Sequence, residues 1–254
     1  MNPVSLITDS YERKARLYPA LLLVAPVVTA GVAMLSAKLS GVQTLGAAVV
    51  GCGGAFLLTQ LARDAGKKGE KALFEKWGGL PSVAIFRHRD TRLDAITKAR
   101  YHRKLAELVK DAKAPSVEQE QADPTAADAV YTAWSNYLRV NTRDTKKFLL
   151  LFQENVNYGY RRNVWGLRTI GIASSLVSFL VCGIRVYFVH QSTGKVDEAL
   201  GGAGVFSAIL LILWLFRFTA DWVRVPADAY AERLAECAET LAAKTTAAKD
   251  AGKK

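Results

Sequence analysis

Four long apolar blocks dominate this sequence and limit the folds that it can adopt. They run over residues 17–37, 39–62, 169–189 and 200–216, and only the third contains a charged residue. An α-helix rises about 1.5 Å per residue, so the three blocks of 21 to 24 residues are long enough to cross a hydrocarbon core roughly 30 Å thick, and the fourth, with 17 residues, only just meets the length of a spanning helix. Helices buried in soluble proteins seldom run this far without a charge. The blocks therefore predict an all-α integral membrane protein with four spans; a soluble helical core is the alternative.

The blocks form two closely spaced pairs. Lys38 and a Leu-Ser-Gly turn separate the first pair, and the polar segment 190–199 separates the second. Each pair is therefore expected to form an antiparallel transmembrane hairpin. A cleaved signal peptide is the less consistent interpretation of the first block, because a second apolar block follows almost at once.

Basic residues flank the outer ends of both pairs and are scarce in the loop within each pair. The flanking residues are Arg13, Lys14, Arg16, Arg63, Lys67, Lys68, Lys71, Arg161, Arg162, Arg168, Arg217 and Arg224. Cytoplasmic loops of membrane proteins are enriched in Lys and Arg. The pattern thus predicts that both termini and the central region are cytoplasmic, as in a multi-pass protein of the inner (cytoplasmic) membrane.

This topology divides the chain into five segments. They are a cytosolic N-terminal segment (1–16), transmembrane hairpin 1 (17–62), a cytosolic helical domain (63–168), transmembrane hairpin 2 (169–216) and a cytosolic C-terminal helix with a basic tail (217–254). Glycines in hairpin 1 at Gly46, Gly51 and Gly54 recur at nearly helical spacing. Small residues let membrane helices approach closely, so we expect tight packing within the hairpin or between subunits of a homo-oligomer.

Several shorter patterns predict the cytosolic elements. Gly78-Gly79 is typical of a helix end, and residues 83–86 suggest a short strand or an interfacial turn. Residues 91–112 are expected to form an amphipathic helix. Asp123 followed by Pro124 predicts a helix start, with Asp as the cap and Pro at the first position. The tail after Pro226 is expected to be an Ala-rich helix.

No pattern in the sequence indicates catalysis, a cofactor or a metal. Cys52, Cys182 and Cys237 have no metal-binding spacing and are interpreted as small packing residues. His88-Arg89-Asp90 matches the letters of a kinase catalytic loop, but the accompanying kinase motifs are missing. The arginines around it form either a salt-bridged helix start or an anion site. We therefore expect a protein that is not an enzyme.

The stretch 154–171 combines asparagines, aromatic rings and arginines directly before the third block. Buried amides are costly unless hydrogen-bonded, which leaves two interpretations: a pocket for an anionic ligand, or membrane anchoring with a helix-packing network. The ligand-binding hypothesis concerns Arg161, Arg162, Asn155, Asn157, Tyr158, Arg89 and Arg92. The residues expected at the membrane interface are Tyr160, Trp165, Arg168, Tyr187 and Trp222. Arg217 and Asp221 are spaced for an i,i+4 ion pair.

Two functions remain open from the sequence. The overall plan resembles the multi-span effectors of bacterial nucleotide-signalled antiphage defence; the resemblance is one of architecture and covers no motif. It implies a ligand- or partner-responsive membrane effector whose cytosolic helices sense an anionic signal and whose spans oligomerise. The alternative is a scaffold that recruits partners to the cytosolic face, with a small channel or transporter less consistent with such apolar spans. The net charge of +11 is interpreted as favouring contact with the lipid bilayer rather than with nucleic acid.

Overall fold

The computed structural model of the chain describes residues 9–35 and 41–241, except for the side chains of residues 41–53 and 55. In this part of the chain every regular element is helical and no strand occurs. The predicted all-α class is therefore confirmed. In chain order the elements are the π-helical turn π1 (Glu12–Leu17), α1 (Tyr18–Leu35), α2 (Gly41–Trp77), α3 (Pro81–Ala84), α4 (Ala95–Leu108), α5 (Val117–Ala122), α6 (Pro124–Asn141), α7 (Leu149–Gly166), α8 (Arg168–Thr193), α9 (Glu198–Ile212), the π-helical turn π2 (Leu213–Arg217) and α10 (Ala220–Thr240).

The chain forms two compact units, each assembled from two separate stretches of sequence. Unit 1 comprises Met1–Leu73 and Val156–Arg224, and unit 2 comprises Phe74–Asn155 and Val225–Lys254. The apolar blocks belong to unit 1. Three helices, α2, α7 and α10, contribute residues to both units.

Three helical stretches of unit 1 are long and apolar enough to cross a membrane. They are Glu12–Leu35, Arg168–Thr193 and Glu198–Arg217; the first covers residues 17–35 of the first predicted block, and the other two contain the third and fourth blocks. The backbone of α2 is helical from Gly41 onward. The turn at 36–40 and most side chains of the second predicted block lie outside the described residues. The fourth span therefore stays a prediction.

The three candidate spans pack against one another and turn large apolar side chains outward. Ala30, Cys182 and Ala203 form one buried contact between α1, α8 and α9. On the outside, Phe188 is 61% exposed and Phe216 is 75% exposed. A soluble protein would lose roughly 25 cal/mol for each Å² of such surface left in water, whereas lipid accepts it. Small residues inside and large apolar residues outside are typical of a membrane bundle.

The core of unit 2 is a cluster of aromatic side chains from α3, α4 and α6. Phe86 meets Trp134 edge-on with ring centroids 5.9 Å apart, and Tyr131 lies 5.5 Å from Trp134. All three rings are fully buried. The indole N–H of Trp134 donates to the carbonyl oxygen of Ala112 at 3.1 Å, so burial of this polar group is compensated.

Two local predictions for the segment between the two predicted hairpins are confirmed. The side chain of Asp123 accepts from the backbone N–H groups of Thr125 and Ala126, and Pro124 opens α6. Gly78 and Gly79 end α2 with φ of 77° and 132°. Glycine adopts these left-handed values without the steric cost that a Cβ would bring.

Other expectations were wrong in detail. Residues 83–86 form neither a strand nor an interfacial turn: Pro81 starts the short helix α3, and Ile85 and Phe86 then enter the core of unit 2. The helix predicted for 91–112 begins only at Ala95, because Asp94 caps it by accepting from the N–H of Thr97. The last helix begins at Ala220 rather than after Pro226, so a proline lies inside α10.

Candidate functional site

The polar stretch before the third block lies at the junction of α7 and α8 in unit 1. Four of its side chains, Arg161, Arg162, Asn163 and Arg168, bond to other helices, and we call this group the junction hub. Asn163 is fully buried and Arg162 is 5% exposed. Polar groups this deeply buried must find hydrogen-bond partners, and their partners define what the hub does.

Two hub residues bond to backbone carbonyls that have a proline four positions later in the chain. In a helix the carbonyl of one residue accepts from the N–H four positions later. Ala15 is followed at that distance by Pro19, which has no N–H, and the amide of Asn163 donates to the Ala15 oxygen at 2.7 Å. Likewise, Trp222 is followed by Pro226, and Arg161 Nη1 donates to the Trp222 oxygen at 2.9 Å.

A third hub residue caps the end of π2. Arg168 Nε donates to the carbonyl oxygen of Trp214 at 2.9 Å, and its Nη2 donates to that of Leu215 at 2.8 Å. The last carbonyls of a helix have no helical partner, so a cation there compensates them and interacts favourably with the helix dipole. Arg168 thereby connects the start of α8 to the end of the last candidate span.

The fourth hub residue, Arg162, is buried and forms an ion pair with Glu70, a partly buried residue in the second half of α2. Its Nη1 donates to Glu70 Oε1 at 2.6 Å, and Tyr158 donates its hydroxyl to the same oxygen at 3.3 Å. Lys67 approaches the other oxygen of Glu70 at 3.1 Å. Burial and the charge of Glu70 raise the pKa of Tyr158 well above its ordinary value, so the phenol stays protonated and donates.

Glycines allow α2 and α7 to approach closely enough for these bonds. A Cβ on Gly166 would lie 2.5 Å from the backbone nitrogen of Gly66, and a Cβ on Gly69 would lie 2.5 Å from Cζ3 of Trp165. A Cβ on Gly66 would collide with the side-chain oxygen of Asn163. The close approach thus lies at Gly66 and Gly69 rather than at Gly54, around which no atom of the described residues lies within 4 Å.

Four of the residues expected at the interface, Tyr160, Trp165, Arg168 and Trp222, lie at the hub, whereas Tyr187 lies 19 residues after Arg168 in α8. Tyr160 meets Trp222 edge-on at 6.2 Å, and Trp165 packs on Gly69. Tyr187 is 58% exposed on α8, where it contacts Phe188 at 5.6 Å. These rings suit a headgroup region, where an amphipathic side chain can meet both lipid and water.

The remaining ligand-binding candidates are distributed differently. Asn157 is exposed in unit 1, while Asn155 and Arg89 belong to unit 2. Arg92, also in unit 2, is tied to Asp90 at 2.7 Å and to Asp228 at 2.6 Å. Burial works against ionisation of Asp90, but the bonds from Arg92 outweigh it and lower the pKa of Asp90. The salt-bridged interpretation of this cluster therefore fits the geometry better than an open anion site.

A cavity of about 310 Å³ in unit 2 adjoins this cluster and is lined in part by His88, Lys98 and His102. The ammonium group of Lys98 points at the carbonyl oxygens of Arg87, His88 and Asp90. His102 Nε2 donates to the Phe86 oxygen at 2.7 Å, and burial lowers the pKa of His102 to about 4. The polar groups facing the cavity are thus engaged by the backbone around them.

Sequence reasoning missed Glu70 and the prolines that expose the carbonyls. Pro19 and Pro226 could have been used for this prediction, because each proline deprives the carbonyl four residues earlier of its N–H donor. Glu70 gave no signal, since it is separated from Arg162 by 92 residues. In the part of the chain that the structure describes, no group of His, Cys, Asp and Glu side chains could hold a metal ion.

No known family model, curated protein or solved structure matches this chain. The function must therefore be argued from the geometry alone.

Proposed function

We propose that the chain is a four-span protein of the cytoplasmic membrane that recruits a protein partner to the cytosolic face through unit 2, without catalysis. The observation that carries the recruiting role is an apolar groove of about 290 Å³ between the start of α7 and the end of α10. Phe148, Leu151 and Cys237 line it and are buried, whereas Leu149 and Leu150 beside them are 52% and 59% exposed.

Membrane anchorage is supported by the outside of the span bundle. Large apolar side chains of α1, α8 and α9 face outward, and arginines stand at the ends of the candidate spans. Among the described residues of these three helices, the buried polar side chains are the serines Ser175, Ser178 and Ser207. A transport path would require more polar lining, so an anchor is favoured over a channel.

The groove has the chemistry of a site for an acidic amphipathic helix. Its rim includes Lys147 and the Arg233–Glu236 ion pair, and Arg143 and Lys146 precede it in the turn before α7. A helix with leucines at i, i+3, i+4 and i+7 would cover the exposed leucines, and glutamates beside them would meet the basic rim. We therefore propose that the groove binds a helix of this type from a partner protein.

The ligand-responsive effector ranks below this proposal for one reason. It needs Arg162 and Arg92 to be open to an anionic ligand, whereas Glu70 pairs with Arg162 and two aspartates pair with Arg92. A ligand would have to displace these carboxylates before it could bind.

Peptide binding to the full chain in lipid nanodiscs tests the proposal. Two designed helical peptides with the same leucine spacing are titrated, one with glutamates and one with lysines at the polar positions. We expect the acidic peptide to bind with a micromolar Kd, and Leu150→Glu to weaken it at least tenfold. Ile96→Glu, at an exposed apolar residue elsewhere in unit 2, is the matched control and should bind normally. Equal binding of both peptides, or none of the acidic one, would contradict the recruiting role.

A further inference from the structure

We infer that Trp222, together with Arg161 and Arg217, forms a binding site for the phosphate group of an anionic phospholipid. The inference rests on the proposed membrane function and names one ligand of the same protein. It concerns Arg161 of the junction hub rather than the Arg162–Glu70 pair.

Two guanidinium groups gather on one indole ring. The central carbon of Arg161 lies 4.9 Å from the ring centroid of Trp222, and that of Arg217 lies 5.5 Å from the same centroid. Tyr160 and Phe218 border the indole at 6.2 Å and 5.0 Å. The face of the indole attracts each cation, and the neighbouring rings fix the orientation of the indole.

The two arginines differ in how they are held. Arg161 is positioned by its bond to the Trp222 carbonyl, so it keeps its place whether or not a ligand is bound. Arg217 is exposed, and its guanidinium group lies over the Trp222 ring. Arg217 is therefore the cation available for a ligand.

Three arginines converge on the segment that carries the indole. Arg161, Arg168 and Arg217 all reach the segment 214–222, whose sequence contains one carboxylate, Asp221. Like charges on the same ring repel each other, and an anion bound between them removes that repulsion. A phosphate suits the place, because guanidinium groups bind it through paired N–H donors.

The position of the site selects a lipid as the source of that phosphate. Arg168 begins one candidate span and Arg217 ends another, so the site lies where these two helices leave their apolar stretch. Lipid headgroups are concentrated at this depth of a membrane, and anionic lipids attract basic groups on the cytoplasmic side. The indole at the same level is typical of a headgroup contact.

Thermal unfolding of the full chain in nanodiscs tests this site. Three conditions are compared: phosphatidylcholine alone, phosphatidylcholine with phosphatidylglycerol, and phosphatidylcholine with inorganic phosphate. We expect phosphatidylglycerol to raise the Tm and inorganic phosphate at the same concentration to leave it unchanged. A free-anion site would instead respond to inorganic phosphate, which would overturn the lipid assignment.

Arg217→Gln is the test variant, because its exposed side chain holds no other part of the fold. We expect it to weaken phosphatidylglycerol binding roughly tenfold, as native mass spectrometry of retained lipid would show. The matched control is Arg185→Gln, which removes an exposed arginine from α8 and should keep the binding. Equal losses in both variants would show general charge attraction and overturn the site. A chain that inserts into nanodiscs without lipid preference refutes the site alone, whereas a chain soluble without detergent refutes the proposed function as well.

Discussion

Asn163 donates a hydrogen bond of 2.7 Å to Ala15, whose carbonyl oxygen has lost its usual helical donor to Pro19. Arg161 does the same for Trp222, whose donor is lost to Pro226. Each proline leaves a carbonyl oxygen without the N–H donor at i+4, and a polar side chain at the junction of α7 and α8 donates a hydrogen bond to that oxygen. The polar residues before the third apolar block therefore have a structural reason that composition does not reveal.

A double-mutant cycle at Trp222 checks this reason. Arg161→Met should lower the free energy of unfolding by about 1–3 kcal/mol, since it leaves a carbonyl unpaired. In a Pro226→Ala background the loss should be smaller, because alanine returns the N–H to the Trp222 oxygen. Denaturant unfolding in detergent micelles measures both values. Arg168→Met is the control, since its carbonyl partners are independent of Pro226; an equal effect of Arg161→Met on both backgrounds would refute the explanation.

The glycines at the α2–α7 contact give a second prediction. Gly66→Ala and Gly166→Ala should each destabilise the protein by about 1–3 kcal/mol, because a Cβ there meets the facing residues of the partner helix. Gly183→Ala is the matched control, as nothing lies within 4 Å of its Cβ position. It should be neutral or slightly stabilising, because alanine favours helix. Unchanged thermal stability of Gly166→Ala would show that the helices do not approach this closely.

Removal of one partner of the buried ion pair should cost more than removal of both. Glu70→Leu leaves the Arg162 guanidinium buried without its carboxylate and should destabilise the chain by roughly 3–5 kcal/mol. Glu70→Leu with Arg162→Leu removes both charges and should cost less than either single change. Unfolding of the four proteins in detergent gives the comparison. Additive losses would mean that the two residues act independently.

His102 should make the stability of the protein depend on pH. Burial lowers its pKa to about 4 from an ordinary 6.5, so between these values the unfolded chain carries a proton that the folded chain lacks. The free energy of unfolding should therefore fall as the pH drops from about 6.5 towards about 4, by up to about 3 kcal/mol. His102→Gln keeps a donor for the Phe86 oxygen and should remove this part of the slope. The exposed His190→Gln is the control and should retain it.

Cysteine labelling tests the predicted orientation. On a background in which Cys52, Cys182 and Cys237 are replaced by alanine, single cysteines are introduced as Ala122→Cys and Thr193→Cys. An impermeant maleimide applied to intact spheroplasts should label the cysteine at 193 and reach the one at 122 only after lysis. Labelling of the cysteine at 122 in intact spheroplasts would refute the cytoplasmic placement of the central region.

Local patterns in the sequence were enough to predict the local structure. Asp123 and Pro124 are adjacent, and a cap depends only on residues a few positions apart. The apolar blocks were recognisable for the same reason, because length and composition decide whether a helix can cross lipid. The short helix at Pro81 was missed, since its four residues form barely one turn and are too few to show a helical period.

The hub's bonding partners could not be derived in this way. Asn163 bonds to Ala15, which is 148 residues away in the sequence, and Arg162 bonds to Glu70, which is 92 residues away. These pairings therefore depend on how the helices pack. The prolines indicate which carbonyls lack a donor at i+4, but they do not indicate which side chain bonds to those carbonyls. The glycines that bring α2 to α7 were equally ambiguous, because Gly54 and Gly66 look alike in the sequence and differ only in what faces them.

The unbroken course of α2 from Gly41 to Trp77 has a consequence for how this chain can vary. Each residue of a helix turns the following ones by about 100°, so one inserted residue near Leu58 would rotate Gly66, Gly69 and Glu70 away from α7 together. No loop within α2 could absorb the change. Insertions and deletions should therefore be excluded from this helix and tolerated in the turn before α7, where the register of the glycine contact is unaffected.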